Sequence, residues 1–408
     1  MPHDRIEKAL AKELVSLAEA GRLKGTETVF DGIVAPKGGK GSRYRIAGEA
    51  GRPFLRMNAN SYLGMAYQPE VIAAEEAAVR TYGAGPGAVR FISGTWSPHV
   101  ALEKRLAAFH DREASMIFSS AYATIMGLLP PLINDRTAVI SDALNHNCII
   151  NAVRLAQPKQ KRVYPHLDMT ALETELAAAA ETCERAIVVT DGVFSMRGDH
   201  APLGEIMGLA RRYDDDFKEN VLVIVDDSHG IGAFGATGRG TEEIESSEPA
   251  DLLVGTLGKA FGVNGGYVTG NLTIMDYLRE TSPFYIYSNP ITPGEAAAAK
   301  AAVDILDSPQ GIALLDHLRA MMARFRSGLS DLGFETVPGA HPVVPLMVRD
   351  TGRTAALVQH LRDHDILATG LGYPVVPRSD EEIRFQISAD HTAADIDEVL
   401  AALKSFNA

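Results

Sequence analysis

Directly after the apolar run Val221 to Val225, the stretch Asp226-Asp227-Ser228-His229-Gly230 sets two carboxylates and an imidazole side by side. Polar groups at the mouth of a buried strand are costly unless a ligand or one another satisfies them. The next apolar run, Leu252 to Val254, leads into Gly255-Thr256-Leu257-Gly258-Lys259-Ala260-Phe261-Gly262, where Lys259 is flanked by small residues. A lysine so placed is open to a bulky covalent partner, and partial desolvation turns such an amine into a useful nucleophile. Pyridoxal phosphate makes two demands of a protein: a carboxylate that keeps its pyridine nitrogen protonated, and a lysine that holds its aldehyde as an imine. Asp226 and Lys259 can meet both. His146, in Asp142-Ala143-Leu144-Asn145-His146-Asn147 after the run Ala138 to Ile140, can stack on the cofactor ring. The stretch Ser119-Ser120-Ala121-Tyr122-Ala123 opens a helical pattern and offers small residues and backbone amides to the phosphate.

These clusters need elements that bring them to one edge. Short, near-continuous apolar runs at Ser115 to Phe118, Ala138 to Ile140, Ala186 to Val189, Val221 to Val225 and Leu252 to Val254 alternate with helical patterns. That texture predicts a mainly parallel sheet covered on both faces, whose ligands bind beyond the carboxyl ends of the strands. Every chemical cluster lies at such an end. The spacing of Ile6, Leu10, Leu14 and Leu17 predicts a helix over 4–20, with Asp4 and Glu7 as a capping box and Gly21 at its close. The stretch Pro36 to Gly41 reads as a connection or hairpin. Beyond Ile291-Thr292-Pro293-Gly294, helices at Glu295 to Leu306, Gly311 to Leu332 and Thr354 to His364 interleave with strands near Val343 to Val348 and Ile383 to Ile387. The division expected is an N-terminal helix and arm at 1–59, a large cofactor-binding domain at 60–290, and a small α+β C-terminal domain at 291–408.

Composition sets the outer limits. The chain has 408 residues, 46% of them hydrophobic, and a formal net charge of −13, so it repels nucleic acid and anionic membrane surfaces. No stretch approaches the ~18 uninterrupted apolar residues of a membrane span, and the charged N-terminus lacks the apolar core of a signal peptide. The two cysteines, Cys148 and Cys183, fit reduced, structural thiols of a cytoplasmic protein.

Seven blocks, in order, resemble the α-oxoamine synthases, a family of fold-type I pyridoxal-phosphate enzymes. They are Asn60 to Gly64, Val89 to Thr95, Ser141 to His146, Thr190 to Met196, Val225 to Gly230, Thr256 to Lys259 and Tyr373 to Pro377. The resemblance implies that Lys259 binds the cofactor aldehyde and later moves a proton, that Asp226 pairs with the pyridine nitrogen, and that His146 stacks on the ring. Ser195 and His229 would hydrogen-bond the phenolic oxygen. The amides of Ala121 and Tyr122, with Thr256, would hold the phosphate, and Ser228 lies in the same cofactor-binding block. Ser288 and Asn289 match the segment that reaches the phosphate of a neighbouring subunit, which implies a homodimer. Arg384, assisted by Asn60, would clamp the amino-acid carboxylate, a task suited to the planar guanidinium fork. Within the family, the blocks read nearest to the branch that joins glycine to acetyl-CoA. The stretch Gly198 to Leu203 resembles the branches that use another amino acid or a longer acyl-CoA with decarboxylation. Lys259, Asp226, His146 and His229 argue against a catalytically silent subunit.

Other motifs carry weaker chemistry. Gly230-Ile231-Gly232-Ala233-Phe234-Gly235 has the form of a dinucleotide fingerprint, but a loop follows it, and Asp251 precedes a strand run instead of ending one. Gly83 to Gly87 lacks the lysine of a phosphate-binding loop and reads as a turn near a dimer interface. His99, His110, His166, His200, His341 and His391 are scattered without ligand spacing, and most of them read as surface or capping residues. His360 and His364 share a helix face, without the glutamate or third ligand of a zinc helix. No metal site is expected.

Overall fold

Three short antiparallel strands follow the first helix, Asp4–Glu19: β1 (Phe30–Val34), β2 (Arg43–Ile46) and β3 (Pro53–Arg56). The structure, a computed structural model, describes residues 3–20, 22–23, 25–373 and 376–406. The chain divides into two compact units, one of residues 1–59, 320–338 and 342–408, the other of residues 60–319 and 339–341.

The larger unit is built on seven strands: β4 (Ala114–Phe118), β5 (Thr137–Asp142), β6 (Gln160–Tyr164), β7 (Arg185–Asp191), β8 (Val221–Asp226), β9 (Leu252–Thr256) and β10 (Gly266–Gly270). They pair in the order β4-β10-β9-β8-β7-β5-β6, with β10 antiparallel to both its neighbours. The runs expected from sequence all fall on strands. Val139, Ile140, Val188, Val189, Val223, Ile224 and Val254 are fully buried, because helices cover both faces and every side chain meets a packed layer. Helices Ala121–Leu132 and Asn147–Ala156 close one face through Ile125, Leu128, Leu129, Ile149 and Val153.

β6 and β10 escape the sequence reading for different reasons. β6 is an edge strand on which Lys161 and Val163 are exposed and Tyr164 is buried, so its pattern mixes charge with apolar residues. β10 begins and ends in glycine, which breaks the apolar run that marks its neighbours.

In the smaller unit, β11 (Val343–Met347), β13 (Thr369–Leu371) and β14 (Glu382–Gln386) form an antiparallel sheet in the order β11-β14-β13. The two-residue strand β12 (Ile366–Leu367) pairs parallel with β3, which ties the arm to the C-terminal part of the chain. The expected three-part division is therefore redrawn: residues 1–59 form no separate arm, and helix Pro293–Leu306 belongs to the larger unit. Its buried Ala296, Ala298, Ala299 and Ala302 let it pack closely on helices Pro69–Tyr82 and Ser97–Phe109. The boundary falls inside helix Pro309–Asp331.

The N-terminal helix has the expected extent, but its N-cap is His3, with no side-chain cap. Asp4 is already the first helical residue, so it cannot act as the cap of a box with Glu7. Gly21, expected at the helix end, lies outside the described residues, as do Pro374 and Val375 of the last family block.

Candidate active site

Asp191, Asp226 and Thr256 are the last residues of β7, β8 and β9, so three neighbouring strands deliver polar side chains to one edge. A cavity of ≈ 260 Å³ opens there, lined by Ala121, Tyr122, His146, Cys148, Asp191, Val193, Ser195, Asp226, Ser228, His229, Thr256 and Lys259. Nine of the thirteen residues expected at the site from sequence are thus brought together.

Backbone and side-chain bonds fix this edge. Asn145 donates to the Val189 carbonyl at 2.8 Å and accepts from the Asp191 amide at 2.8 Å, stapling the end of β5 to that of β7. The His146 amide donates to Asp191 Oδ2 at 3.2 Å, and the imidazole caps the following helix by accepting from the Cys148 amide at 3.3 Å. Since Nδ1 accepts that bond, the ring proton sits on Nε2. Burial, countered by Asp226 and reinforced by Lys259, lowers the imidazole's pKa and keeps it neutral. A neutral flat ring beside the cavity can stack on a planar cofactor.

Asp226 accepts from the Ser228 amide at 3.2 Å through Oδ1, and the Cys148 thiol donates toward Oδ2 at 3.7 Å. Its neighbour in register, Asp191, is fully buried, and burial first, then the Asp226 charge, raises its pKa. Asp191 Oδ1 and Ser228 Oγ are buried with no hydrogen-bond partner among the described residues. Two adjacent carboxylates and orphaned polar atoms in one cavity need a compensating cation and hydrogen-bonding group. A protonated pyridine nitrogen supplies the first, so these residues fit pyridoxal phosphate.

The phosphate end fits as well. Ser120 caps helix Ala121–Leu132 by accepting from the Ala123 amide at 3.0 Å, which leaves the first-turn amides of Ala121 and Tyr122 at a positive helix end. Gly266, the first residue of β10, lets this end approach the sheet, since a Cβ there would lie 2.3 Å from the Ala121 nitrogen. Thr256 stands opposite on β9, its hydroxyl accepting from the Gly258 amide at 3.2 Å.

The remaining four expected residues do not line the cavity. Asn60 accepts from the Tyr62 hydroxyl at 3.4 Å, and Ser288 and Asn289 follow helix Pro283–Ile286 on a segment where Asn289 is exposed. Arg384 sits on β14 of the smaller unit, paired in register with Pro345 and Thr369.

Several readings change. Cys148, read as a structural thiol, lines the cavity, with Sγ 2.9 Å from His146 Nδ1; burial and then the charges of Asp226 and Asp191 push its pKa up, so it remains a thiol. Asp191 and Tyr62 stand in motifs visible in the sequence but drew no role there. The available signal for Asp191 was that it ends an apolar run as Asp226 does. His166, read as a surface residue, lies between Asp142 at 3.0 Å and Asp199 at 3.3 Å; burial opposes its charge, but the two carboxylates win and raise its pKa to about 9. The glycine-rich stretch after β8 starts no helix, because the next one is Thr241–Glu245, and Asp251 accepts from the Val223 amide at 2.7 Å. His360 hydrogen-bonds the Ala402 carbonyl at 2.9 Å.

A cofactor cavity at the carboxyl edge of this sheet, with an aspartate ending one strand and a lysine just beyond the end of the next, defines a fold-type I pyridoxal-phosphate enzyme. The profile of aminotransferase class I and II matches residues 52–403. An 8-amino-7-oxononanoate synthase of Geobacter sulfurreducens is 38% identical over 97% of this chain and 97% of its own. The mitochondrial 2-amino-3-ketobutyrate coenzyme A ligase of Bos taurus is also 38% identical, over 96% of this chain and 90% of its own. The solved serine palmitoyltransferase of Sphingomonas wittichii superposes with a TM-score of 0.87 at 26% identity, covering 99% of this chain and 98% of that one. The chain belongs to the aminotransferase class I and II family and, within it, to the α-oxoamine synthases, pyridoxal-phosphate-dependent C-acyltransferases. The equal identities do not separate the glycine branch from the others. No helix among the described residues is long and apolar enough to cross a membrane.

Proposed function

We propose that the protein condenses glycine with acetyl-CoA to 2-amino-3-ketobutyrate and CoA, or catalyses the reverse cleavage. The observation that carries this reading is the convergence of Lys259, Asp226, His146 and His229 on one cavity. Bound pyridoxal phosphate supplies the electron sink that makes an amino-acid Cα acidic. Lys259 holds the cofactor and moves the Cα proton through Nζ, and Asp226 holds the proton on the ring nitrogen. His146 stacks on the ring, while Ser195 and His229 hydrogen-bond the phenolic oxygen. The amides of Ala121 and Tyr122, with Thr256 and Ser228, bind the phosphate side. Arg384 and Asn60 orient the substrate carboxylate.

In this reading the working unit is a homodimer, with Ser288 and Asn289 reaching the phosphate site of a second copy. Exposed apolar side chains support it: Ile6, Leu10 and Leu14 are each more than half exposed on one helix, and Tyr287 is 79% exposed beside Ser288. The two buried free thiols suit a reducing compartment, and the cytoplasm is the proposed location.

A second reading is favoured by the 8-amino-7-oxononanoate synthases among the relatives: a different amino acid or a longer acyl-CoA, with decarboxylation. Incubating the holoenzyme with a panel of amino acids and acyl-CoAs, while following thiol release and product mass, separates the two. Glycine with acetyl-CoA should release thiol without carbon dioxide. Turnover confined to alanine or serine with longer thioesters, with carbon dioxide released, would overturn the glycine assignment.

A further inference from the structure

Tyr62 is fully buried, and its hydroxyl oxygen lies 2.7 Å from His229 Nδ1. The imidazole is held from its backbone too: His341 Nε2 is 2.9 Å from the His229 carbonyl, which can only accept, so His341 donates. His341 also packs edge-on against the Tyr62 ring, with centroids 5.4 Å apart at 81°. The phenol and the imidazole are therefore one locked unit at the cavity wall. Its proton arrangement follows from elementary acidity. A phenol is a stronger acid than a neutral imidazole N–H, and imidazole nitrogen is the stronger base, so the short bond runs from the Tyr62 O–H to Nδ1. The competing acceptor, Asn60 Oδ1, is farther away at 3.4 Å. With Nδ1 accepting, the ring proton belongs on Nε2.

We propose that Tyr62 is a positioning residue that fixes His229 as the Nε2–H tautomer, so that the imidazole meets the phenolic oxygen of the cofactor as a hydrogen-bond donor. The proposal rests on the reading of His229 as the group facing that oxygen. A donor there stabilises the deprotonated oxygen and so sets the pH at which the bound cofactor changes its visible absorbance. Tyr62→Phe keeps the ring that packs on His341 and removes only the hydroxyl.

The test is a pH titration of visible absorbance for the wild-type holoenzyme, Tyr62→Phe, His229→Asn and the double variant. The midpoint should rise by about 0.5–1 pH unit in Tyr62→Phe, at least as far in His229→Asn, and no further in the double variant. A Tyr62→Phe midpoint at the wild-type value, with His229→Asn moved, overturns the proposal and leaves the His229 reading standing. Additive shifts in the double variant also overturn it, since Tyr62 would then act by another route. An unmoved His229→Asn midpoint removes the role of His229 and the proposal with it. Should Tyr62→Phe not fold, 3,5-difluorotyrosine at position 62 keeps the hydroxyl as a stronger donor. The midpoint should then move downward, and an unchanged midpoint refutes the assignment.

Discussion

Asp226 and Asp227 are the same residue type, adjacent in sequence at the end of one strand, and the two sides of that strand end use them in opposite ways. On the cavity side, Asp226 sits with Asp191, Ser228 and Cys148 among polar atoms that the chain leaves incompletely satisfied. Behind it, Asp227 is fully buried and satisfied: it accepts from the Thr241 amide at 2.7 Å and the Thr241 hydroxyl at 2.8 Å. Gly192, Gly230 and Gly240 wrap that carboxylate so closely that a Cβ on any of them would lie within 2.2 Å of it. The alternation of side chains along an extended chain decides which carboxylate faces which side. One side is arranged for a ligand and the other anchors the loop beyond the strand.

Substituting each carboxylate in turn tests this division. Asp226→Asn should cut turnover roughly a thousandfold, as loss of a fixed charge at a reacting centre does, while thermal unfolding of the apo protein stays close to wild type. A variant that retains activity would remove the functional side of the comparison.

The same pair shows what the sequence could and could not reveal. That Asp226 follows a buried strand is legible because Val221 to Val225 is an unbroken apolar run, and the lysine after the next run, Leu252 to Val254, is legible for the same reason. Which of two neighbouring aspartates faces the cavity rests on motif resemblance, since periodicity gives only their opposition. Cys148 and Tyr62 were hidden because their roles depend on contacts across 78 and 167 positions of chain, which no local pattern encodes. The unit boundary was obscured by helix Pro293–Leu306, whose alanines read as a change of texture although they pack within the larger unit.

A smaller effect is expected behind the strand. Asp227→Asn puts an amide donor among Thr241 donors and should lower unfolding free energy by about 1–3 kcal/mol in urea titration, with turnover per folded molecule within about threefold of wild type. Burial first raises the Asp227 pKa to about 7, with Thr241 opposing and Glu242 and Asp226 adding to the rise. A carboxyl whose folded pKa lies above its unfolded value gives its full stabilisation below about pH 4. That stabilisation declines as pH rises through about 7. Wild-type stability relative to Asp227→Asn should therefore fall between these limits, and a flat difference would contradict the assignment.

In the proposed function, Lys259 is the residue to which the cofactor is bound. Borohydride reduction of the holoenzyme, followed by peptide mass mapping, tests it directly. A phosphopyridoxyl group should appear on the peptide containing Lys259 and be absent in Lys259→Ala. Label on another lysine, or no label in cofactor-saturated wild-type protein, would contradict it.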